Sequence, residues 1–497
     1  MSAIERAIAA VSPSWAAKRA AARANLERAK LAESRMRGFN AVSKGRRAGD
    51  DWTGVGEGAP TESANDLAEL RKRAREMGRN NPYWLAGKRT IVGEAVGHGI
   101  RATAISTNKA TQKRVQTAWD DWAKTKACDV TGQLDFYGIQ KLVMGTVVSD
   151  GECLVVRRQR GAALQLQVLG AEFLSSAKDG PLPGGGEVVG GVETDDFGAP
   201  VAYHVYKRHP SRGIAETVRI EARDVAHVFR VDRANQMRGE SWIAPVFTRL
   251  NDWDDYEDAD LLRQKVAACF GAIYTGVEAE GDYETHEKLE PGMIEYLPGG
   301  SDVKLISPPA SQGLRDSALI THRAIAAGLG ITYEALTGDY ERVNFSSARM
   351  GHLRMARNVS DWQQDVLIER LLDRVWKWFI DATTLRPVSD GGEAVPANVG
   401  VLWTVPSRTL LDPDKETTAD IKRVRAGFAA WQDVVRENGR DPDQVADAIE
   451  QDIQRFDARG LVLDVDARKV SVFGQGAVNI APDKVAGNEN SDDDAAA

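Results

Sequence analysis

Apolar residues recur every three or four positions along much of the chain, which is the spacing of one face of an α-helix. Two stretches carry this pattern furthest, one from Pro245 to Ile273 and one from about Ser346 to Asp381. At 1.5 Å per residue, the second predicts a helix roughly 50 Å long. Shorter helical patterns occur at 67–77, from Asn81-Pro82 to Gly97, at 110–127, 133–149 and 311–328, and in two parts split by Asn438-Gly439 at 414–458.

A different rhythm runs from Glu152 to Phe229, where short β-rich runs alternate with glycine, proline and aspartate. Another strand region, Tyr274 to Pro309, separates two helices and is predicted to be inserted at the tip of an αα-hairpin. The 497 residues also exceed the roughly 250 to 300 at which a single core stops growing. We therefore expect a mixed α+β, helix-rich fold of several domains.

Charge is distributed unevenly. The net charge is −8, but residues 1–50 hold eleven Lys or Arg against four Asp or Glu, which gives +7 there and −15 for the remainder. Such a single-sign arm is either a solvated, mobile segment or a phosphate-binding one. Its representative basic residues are Arg19, Arg23, Arg28 and Arg35.

A second charged feature is the acidic opening of the helix predicted after Pro245. The acids of this face are Asp252, Asp254, Asp255, Glu257 and Asp258. An EF-hand would need glycine at the sixth position of the loop and glutamate at the twelfth, where the chain has Glu257 and Arg263. A solvated helix face is the ordinary explanation, and a two-metal nuclease assembled from distant carboxylates is the alternative.

Motifs for other chemistry are missing or incomplete. Gly87-Lys88 is followed by Arg89, so the Lys-Ser/Thr pair of a P-loop is absent, and neither His-Glu-x-x-His nor Cys-x-x-Cys occurs. The three cysteines are far apart in sequence and are expected to be reduced packing residues. No apolar run approaches the roughly 18 residues of a membrane helix. We predict no catalytic residue, no metal and no cofactor.

Six short motifs give the chain its most specific signature. They are Arg79-Asn80-Asn81-Pro82-Tyr83, Gly97-His98-Gly99-Ile100, Ser149-Asp150-Gly151-Glu152, Arg238-Gly239-Glu240-Ser241-Trp242-Ile243-Ala244-Pro245, Leu336-Thr337-Gly338-Asp339-Tyr340 and Asn344-Phe345-Ser346-Ser347-Ala348-Arg349. In this order they resemble the lambda family of phage portal proteins. The resemblance extends from roughly Arg71 to Leu461.

The resemblance implies a dodecameric ring at one capsid vertex of the virion, assembled in the host cytoplasm, through which double-stranded DNA is packaged and ejected. It implies no enzymatic activity. The implied partners are other copies of the chain, DNA, the terminase large subunit, major capsid and scaffold proteins, and head-to-tail connector proteins, with no membrane. The alternatives are a packaging-associated nuclease and a structural head-to-tail adaptor ring.

The resemblance, together with the charge and composition of the two ends, divides the chain into regions. They are a basic arm and linker (1–61), wing (62–245), stem helix (246–273), clip (274–310), second stem helix (311–330), channel loop (331–345), long wing or crown helix (346–385), β-rich wing segment (386–412), helical crown (413–474) and disordered acidic tail (475–497).

The loop residues expected to face the channel are Asp339, Tyr340, Glu341, Arg342, Val343 and Asn344. We also expect the acidic stem face to line the channel, because a lining that attracted phosphates would oppose sliding of DNA.

Overall fold

The computed structural model describes residues 64–160, 163–183, 185–212, 216–268, 272–275, 294–297, 302–305, 313–341, 343–384, 399–407 and 412–461. The four arginines named for the basic arm, Arg342 and the acidic tail lie outside these residues. The chain divides into two compact units, Met1–Pro406 and Ser407–Ala497. We describe each unit by itself.

Nine α-helices are found among the described residues of the first unit. They are α1 (Ala64–Asn80), α2 (Pro82–Val96), α3 (Lys109–Ala123), α4 (Phe136–Asp150), α5 (Phe247–Ala268), α6 (Leu314–Leu329), α7 (Tyr333–Thr337), α8 (Phe345–Asp361) and α9 (Asp373–Thr384). Local sequence sets their ends: Asn81 caps α2 by accepting from Trp84 N, and Pro82 occupies its first turn. Asn108 caps α3 in the same way.

The strands of this unit confirm the β-rich region predicted between Glu152 and Phe229. They are β1 (Arg101–Ile105), β2 (Glu152–Arg160), β3 (Ala163–Gly170), β4 (Gly180–Pro181), β5 (Glu187–Val189), β6 (Val192–Thr194), β7 (Pro200–Tyr206), β8 (Thr217–Glu221), β9 (Val225–Phe229), β10 (Ala272–Thr275), β11 (Ile294–Leu297), β12 (Asp302–Leu305) and β13 (Gly400–Thr404).

Four sheets follow from the pairing of these strands. Their orders are β3-β2-β9, β4-β5-β6-β7-β8, β11-β10-β12 and β1-β13. All pairs are antiparallel except β10 with β11. In the central pair, Leu154 of β2 lies opposite His227 of β9. The described chain is thus a mixed, helix-rich α+β structure.

The first long helix is shorter than the sequence predicts. Its pattern continues to Ile273, but α5 ends at Ala268 and Ala272–Thr275 forms β10. Ile273 pairs with Glu295 on one side and with Lys304 on the other. The apolar spacing over the last few residues of the pattern is compatible with a strand as well as with a helix. Pairing with β11 and β12 makes these residues a strand.

The second long helix is continuous from α8 to α9, but residues Trp362–Leu372 between them are wound as a π-helix. Both Trp362 and Leu371 are buried. Leu371 lies nine residue steps after Trp362, which at 3.6 residues per turn would make two and a half α-helical turns and place the two side chains on opposite sides. The wider π winding keeps both on the core side, so the prediction of a plain α-helix is wrong here.

The core of the first unit is centred on aromatic rings. Trp119 of α3 is 1% exposed and touches Phe136, Trp376 and Phe379 with ring centroids 4.9 to 5.3 Å apart. Trp403 of β13 adds a further ring to the cluster at 6.1 Å. The prediction that the tryptophans of α3 are core residues is confirmed for Trp119, which α4 and α9 enclose.

The second unit contains three helices in its described part, where the sequence predicts two. They are α10 (Pro413–Arg425), α11 (Trp431–Glu437) and α12 (Pro442–Ala458). The extra break occurs at Gly427, whose φ of +76° is a left-handed conformation that glycine adopts readily. Of the residues described in this unit, only Pro442 is buried. Most apolar side chains of these three helices are therefore at least partly exposed to solvent.

Both cysteines that the structure describes, Cys128 and Cys153, are buried and form no disulfide. Burial raises the pKa of Cys128 to about 12, so its thiol stays protonated. They are packing residues, as the sequence predicts. Among the described helices none combines the length and the apolar character needed to cross a membrane.

Candidate functional site

Two of the sequence motifs meet around the carboxylate of Glu152, the first residue of β2. The side chain is fully buried. It accepts hydrogen bonds from Arg238 Nε at 2.8 Å, His227 Nε2 at 3.0 Å and the backbone N–H of Gly239 at 2.9 Å. Arg71 of α1 approaches the same carboxylate at 3.6 Å. One side chain thereby joins α1, β2, β9 and the segment that leads into α5.

The charge state of this centre follows from its surroundings. Burial by itself raises the pKa of Glu152, but the positive charge of Arg238 and the hydrogen bonds from His227 and Arg238 outweigh burial. The pKa of Glu152 therefore lies far below its ordinary value. Burial lowers the pKa of His227, and the hydrogen bond to Glu152 only partly opposes it. The centre contains an ionised carboxylate and a neutral imidazole at pH 7.

The motif that begins at Ser149 contacts the motif that begins at Arg238 through two glycines that no larger residue could replace without a clash. A Cβ added to Gly239 would lie 2.2 Å from the carbonyl oxygen of Gly151. Gly151 itself has φ +92°, and its added Cβ would lie 2.4 Å from the carbonyl carbon of Glu240. Next to them, Ser241 Oγ donates to the carbonyl oxygen of Ser149 at 2.6 Å. Ser241 thus joins one motif to the other, and its Oγ also accepts from the backbone N–H of Ile243 at 3.4 Å.

A second ionic layer lies beside the first. Arg75 Nε donates to Asp150 Oδ1 at 3.0 Å, and its Nη2 donates to Glu172 Oε2 at 2.7 Å. The hydrogen bond to Asp150, followed by that to Glu172, raises the pKa of Arg75 against the effect of burial. Burial is the largest single effect on Glu172 and raises its pKa, but the hydrogen bond from Arg75, a backbone hydrogen bond and the positive charges of Arg75 and Arg71 together lower the pKa by more. Together the two layers carry three carboxylates and three guanidinium groups.

The first motif is joined to the acidic helix α5. Asn81 Nδ2 donates to both oxygens of Asp254, at 2.8 and 2.9 Å, while its Oδ1 caps α2. The Tyr83 hydroxyl donates to Glu257 at 3.4 Å, and the Tyr83 ring lies 4.1 Å from that of His322. Two of the acids predicted to lie on one solvated face therefore help to hold α5 against α2.

Within the range 331–345 predicted to be the channel loop, Tyr333–Thr337 form the short helix α7, so only residues 338–344 connect α7 to α8. Gly338 ends α7 with φ +71°, and Tyr333 Oη donates to Asp339 at 2.7 Å. Glu341 forms an ion pair with Arg315 of α6. Tyr340, between these anchored residues, is 66% exposed. Both sides of the loop tip are thus held while Tyr340 faces solvent.

The end of the loop is fixed by the start of the next helix. Asn344 caps α8 through a capping box with Ser347. Phe345, the first residue of α8, is 56% exposed. Exposed aromatic side chains therefore lie on both sides of the cap Asn344, with Tyr340 before it and Phe345 after it.

A groove of about 550 Å³ lies between the end of α6 and the middle of α8. Its basic lining residues are Arg230, Arg323 and Arg354, and no acidic residue lines it. Arg230 pairs with Asp232, whereas no ion pair is seen for Arg323 or Arg354 among the described residues. The groove is a positively charged surface near the predicted channel loop.

No group of three or more histidine, cysteine, aspartate or glutamate side chains within the described ranges is arranged to hold a metal ion. The ionic layers around Glu152 and Asp150 are saturated by arginines and backbone groups. Their arrangement holds structural elements together.

Comparison with known proteins decides the family. The family described as "Phage portal protein, lambda family" matches residues 44–363, which is more than half of the chain. This chain belongs to the lambda family of phage portal proteins. A relative described as "Probable portal protein", from Halomonas phage phiHAP-1 (isolate -/Gulf of Mexico/-/2001), is 26% identical over 451 residues, covering 84% of this chain and 87% of the relative.

Solved structures similar to this portal-family chain come from gene transfer agent (GTA) particles. "Neck of empty GTA particle computed with C6 symmetry" has a TM-score of 0.44 at 14% identity and covers 72% of this chain and 90% of its own. "Neck of native GTA particle computed with C12 symmetry" has a TM-score of 0.43 at 16% identity, with coverages of 74% and 91%.

Family membership confirms the resemblance drawn from the motifs, and the structure shows what those motifs do in this portal-family chain. Motif residues Asn81, Asp150, Glu152 and Arg238 meet partners far away in sequence. The partners Arg71, Arg75, Glu172 and His227 were not predicted as site residues. For His227 the sequence signal is a polar residue within an apolar run, between the buried Ala226 and Val228. Arg71 and Arg75 lie in a run of charged residues and carry no such signal.

The acids predicted on α5 are not all equivalent in the structure. Asp254 is half-buried against Asn81, whereas Asp252, Asp255, Glu257 and Asp258 are exposed. The loop residues Asp339, Tyr340, Glu341, Val343 and Asn344 are placed between α7 and α8, and Arg342 lies outside the described residues. The roles of both sets are taken up below as proposals.

Glu152→Gln tests the buried centre. The change removes the carboxylate's charge and leaves Arg238 buried without a counter-ion, so we expect the first unit to lose about 3 to 5 kcal/mol of unfolding free energy. Urea unfolding followed by tryptophan fluorescence measures the loss. The matched control, Glu341→Gln, breaks an exposed ion pair and should cost no more than about 1 kcal/mol. Equal losses in the two variants would contradict the assigned role of Glu152.

His227→Gln tests the neutral imidazole. The folded pKa of His227 lies below the unfolded value of about 6.5, so as pH falls through that value the unfolded chain takes up a proton that the folded chain does not. Wild-type stability should therefore decrease below about pH 6.5, and less steeply in the variant. Urea unfolding at a series of pH values measures both slopes. His322 titrates in both proteins, so parallel slopes would contradict the prediction.

Proposed function

We propose that the chain is the subunit of a dodecameric ring at one capsid vertex, through which double-stranded DNA is packaged and ejected. The observation that carries this proposal is membership of the lambda portal family over residues 44–363. In this proposal α5 and α6 form the stem, residues 274–310 the clip, and residues 62–245 most of the wing. The helices α10 to α12 belong to the crown.

Ring formation is supported by the apolar side chains that the single chain leaves open. Leu262 of α5 is 63% exposed, Ile320 of α6 is 68% exposed and Met350 of α8 is 69% exposed. Burying these side chains against a neighbouring copy would remove apolar surface from water, which favours association. A surface that contacts a different surface on the next copy gives a closed ring when the rotation closes.

The proposed contact with moving DNA is the loop from Gly338 to Asn344. A loop tip held at both ends keeps its position while presenting a side chain, which suits a part of the channel wall. Tyr340 is that side chain, because Asp339 and Glu341 on either side are held by Tyr333 and Arg315. The tyrosine ring is uncharged, so it can contact the duplex without the salt-dependent binding that a row of arginines would produce.

The further partners in this proposal are the terminase large subunit, the major capsid and scaffold proteins, and the head-to-tail connector proteins. The basic arm, with Arg19, Arg23, Arg28 and Arg35, is proposed to contact DNA, scaffold or capsid protein. In this proposal the ring assembles in the host cytoplasm and functions at the portal vertex of the virion.

Tyr340→Ala tests the loop's role. The loop is anchored by residues other than Tyr340, so we expect rings to assemble as in wild type while the amount of DNA packaged per particle falls. Mass photometry measures assembly, and nuclease-protected DNA in an in vitro packaging reaction measures transport. Phe197→Ala is the matched control, because Phe197 is 96% exposed on a different loop.

Two results would speak against the loop's role. If Tyr340→Ala and Phe197→Ala package DNA equally well, the loop does not contact the moving duplex. If wild-type chains form no rings under any assembly condition, the portal function itself is contradicted.

A further inference from the structure

Helix α5 exposes a face that is acidic at one end and apolar at the other. Asp255, Asp258 and Leu262 follow one another at spacings of three and four residues, so they share one face of the helix. All three are exposed, Leu262 by 63%. A purely solvated face would not need a large leucine in line with its carboxylates.

Helix α8 exposes a face of the opposite kind. Met350, Arg354 and Arg357 follow one another at spacings of four and three residues, and all three are exposed. Met350 is 69% exposed, and Arg354 also lines the groove that contains Arg230 and Arg323. Within the described part of the chain, neither Arg354 nor Arg357 forms an ion pair. Residues 345–360 contain no acid to neutralise them.

The two faces match when the helices are placed antiparallel. The register that sets Asp258 opposite Arg354 also sets Asp255 opposite Arg357 and Leu262 opposite Met350, because the spacings of four and three on α8 reverse those on α5. One register therefore pairs two carboxylates with two guanidinium groups and one apolar side chain with another. The match involves the order of the residues as well as their charges.

We propose that α5 of one subunit packs antiparallel against α8 of the neighbouring subunit through these three pairs. The inference rests on the proposed ring, and it names the residues that form the contact. The partner is a second copy because both faces are exposed within a single chain, so the chain does not pair them with each other. Two different surfaces in contact make the head-to-tail interface that a ring requires.

This pairing gives Asp255 and Asp258 a role other than the channel lining expected from the sequence. Carboxylates that lie against a neighbour's arginines are neutralised and no longer repel DNA. Asp254 already holds Asn81 within the chain. The acids of α5 then serve subunit contacts on one side and internal packing on the other.

Charge reversal with rescue tests the pairing in the full-length chain. The variants are Asp255→Arg with Asp258→Arg, Arg354→Glu with Arg357→Glu, and all four changes together. A smaller set uses Asp258→Arg, Arg354→Glu and their combination, so that the outcome does not depend on Asp255, which also has a contact in its own chain. Mass photometry over a dilution series gives the concentration at which half of the chains are in rings.

Each half-reversed variant should raise that concentration by at least about tenfold, and the combined variants should return to within about threefold of wild type, as expected for close charge pairs across an interface. Lys109→Glu with Lys113→Glu, an exposed pair on α3, is the matched control and should assemble as wild type does. Circular dichroism and thermal unfolding establish that each variant is folded.

Three results would overturn the pairing. In one, a folded half-reversed variant assembles as readily as wild type. In another, the combined variant is no better than its halves. In the third, the arginine reversal leaves assembly intact but weakens binding of a duplex DNA fragment, which would assign the arginines to DNA. A wild-type chain that never forms rings would instead overturn the proposed function on which the pairing rests.

Discussion

The buried carboxylate of Glu152 is the interaction on which the described part of the first unit depends. An ionised carboxylate removed from water is stable only when its charge and its lone pairs are matched. Here Arg238, His227 and the backbone N–H of Gly239 supply the hydrogen bonds, with Arg71 adding positive charge. Because these groups come from α1, β9 and the segment before α5, the carboxylate is satisfied only when all of them are in place.

Further contacts position the helices α5 and α8, whose exposed faces we assign to assembly. Contact between Gly151 and Gly239 sets the path of the chain as it enters α5, and Asn81 holds the same helix through Asp254. On the other side, Asn358 of α8 donates to the carbonyl oxygen of Gly330 at 2.7 Å, which ties α8 to the end of α6. These two helices are therefore held in place by contacts to α2 and to the end of α6.

Much of the architecture could be predicted from local sequence. Periodicity and caps gave the helix beginning at Pro82 and the strands between Glu152 and Phe229, because these depend on neighbours a few residues away. The order of the motifs correctly indicated the portal family. What the motif residues bind was not predictable, since Glu152 and His227 are 75 residues apart and no local pattern relates them.

The errors have the same origin. The end of α5 and the strand β10 depend on partners at Glu295 and Lys304, and the π winding at Trp362–Leu372 depends on which side chains the core must accept. The break at Gly427 shows how one flexible residue divides a helix that periodicity alone would continue. In each case the secondary structure is decided by tertiary contacts or by backbone freedom. The spacing of apolar residues in a single sequence contains no information on either.

The most direct measurement of the central claim is an electron cryomicroscopy reconstruction of the purified full-length chain in its assembled form. Our account predicts a ring with a central hole wide enough for a DNA duplex, the loop around Tyr340 on the wall of that hole, and α5 of each subunit against α8 of the next. A particle without a hole, or a ring with the Tyr340 loop on its outer surface, would contradict the account.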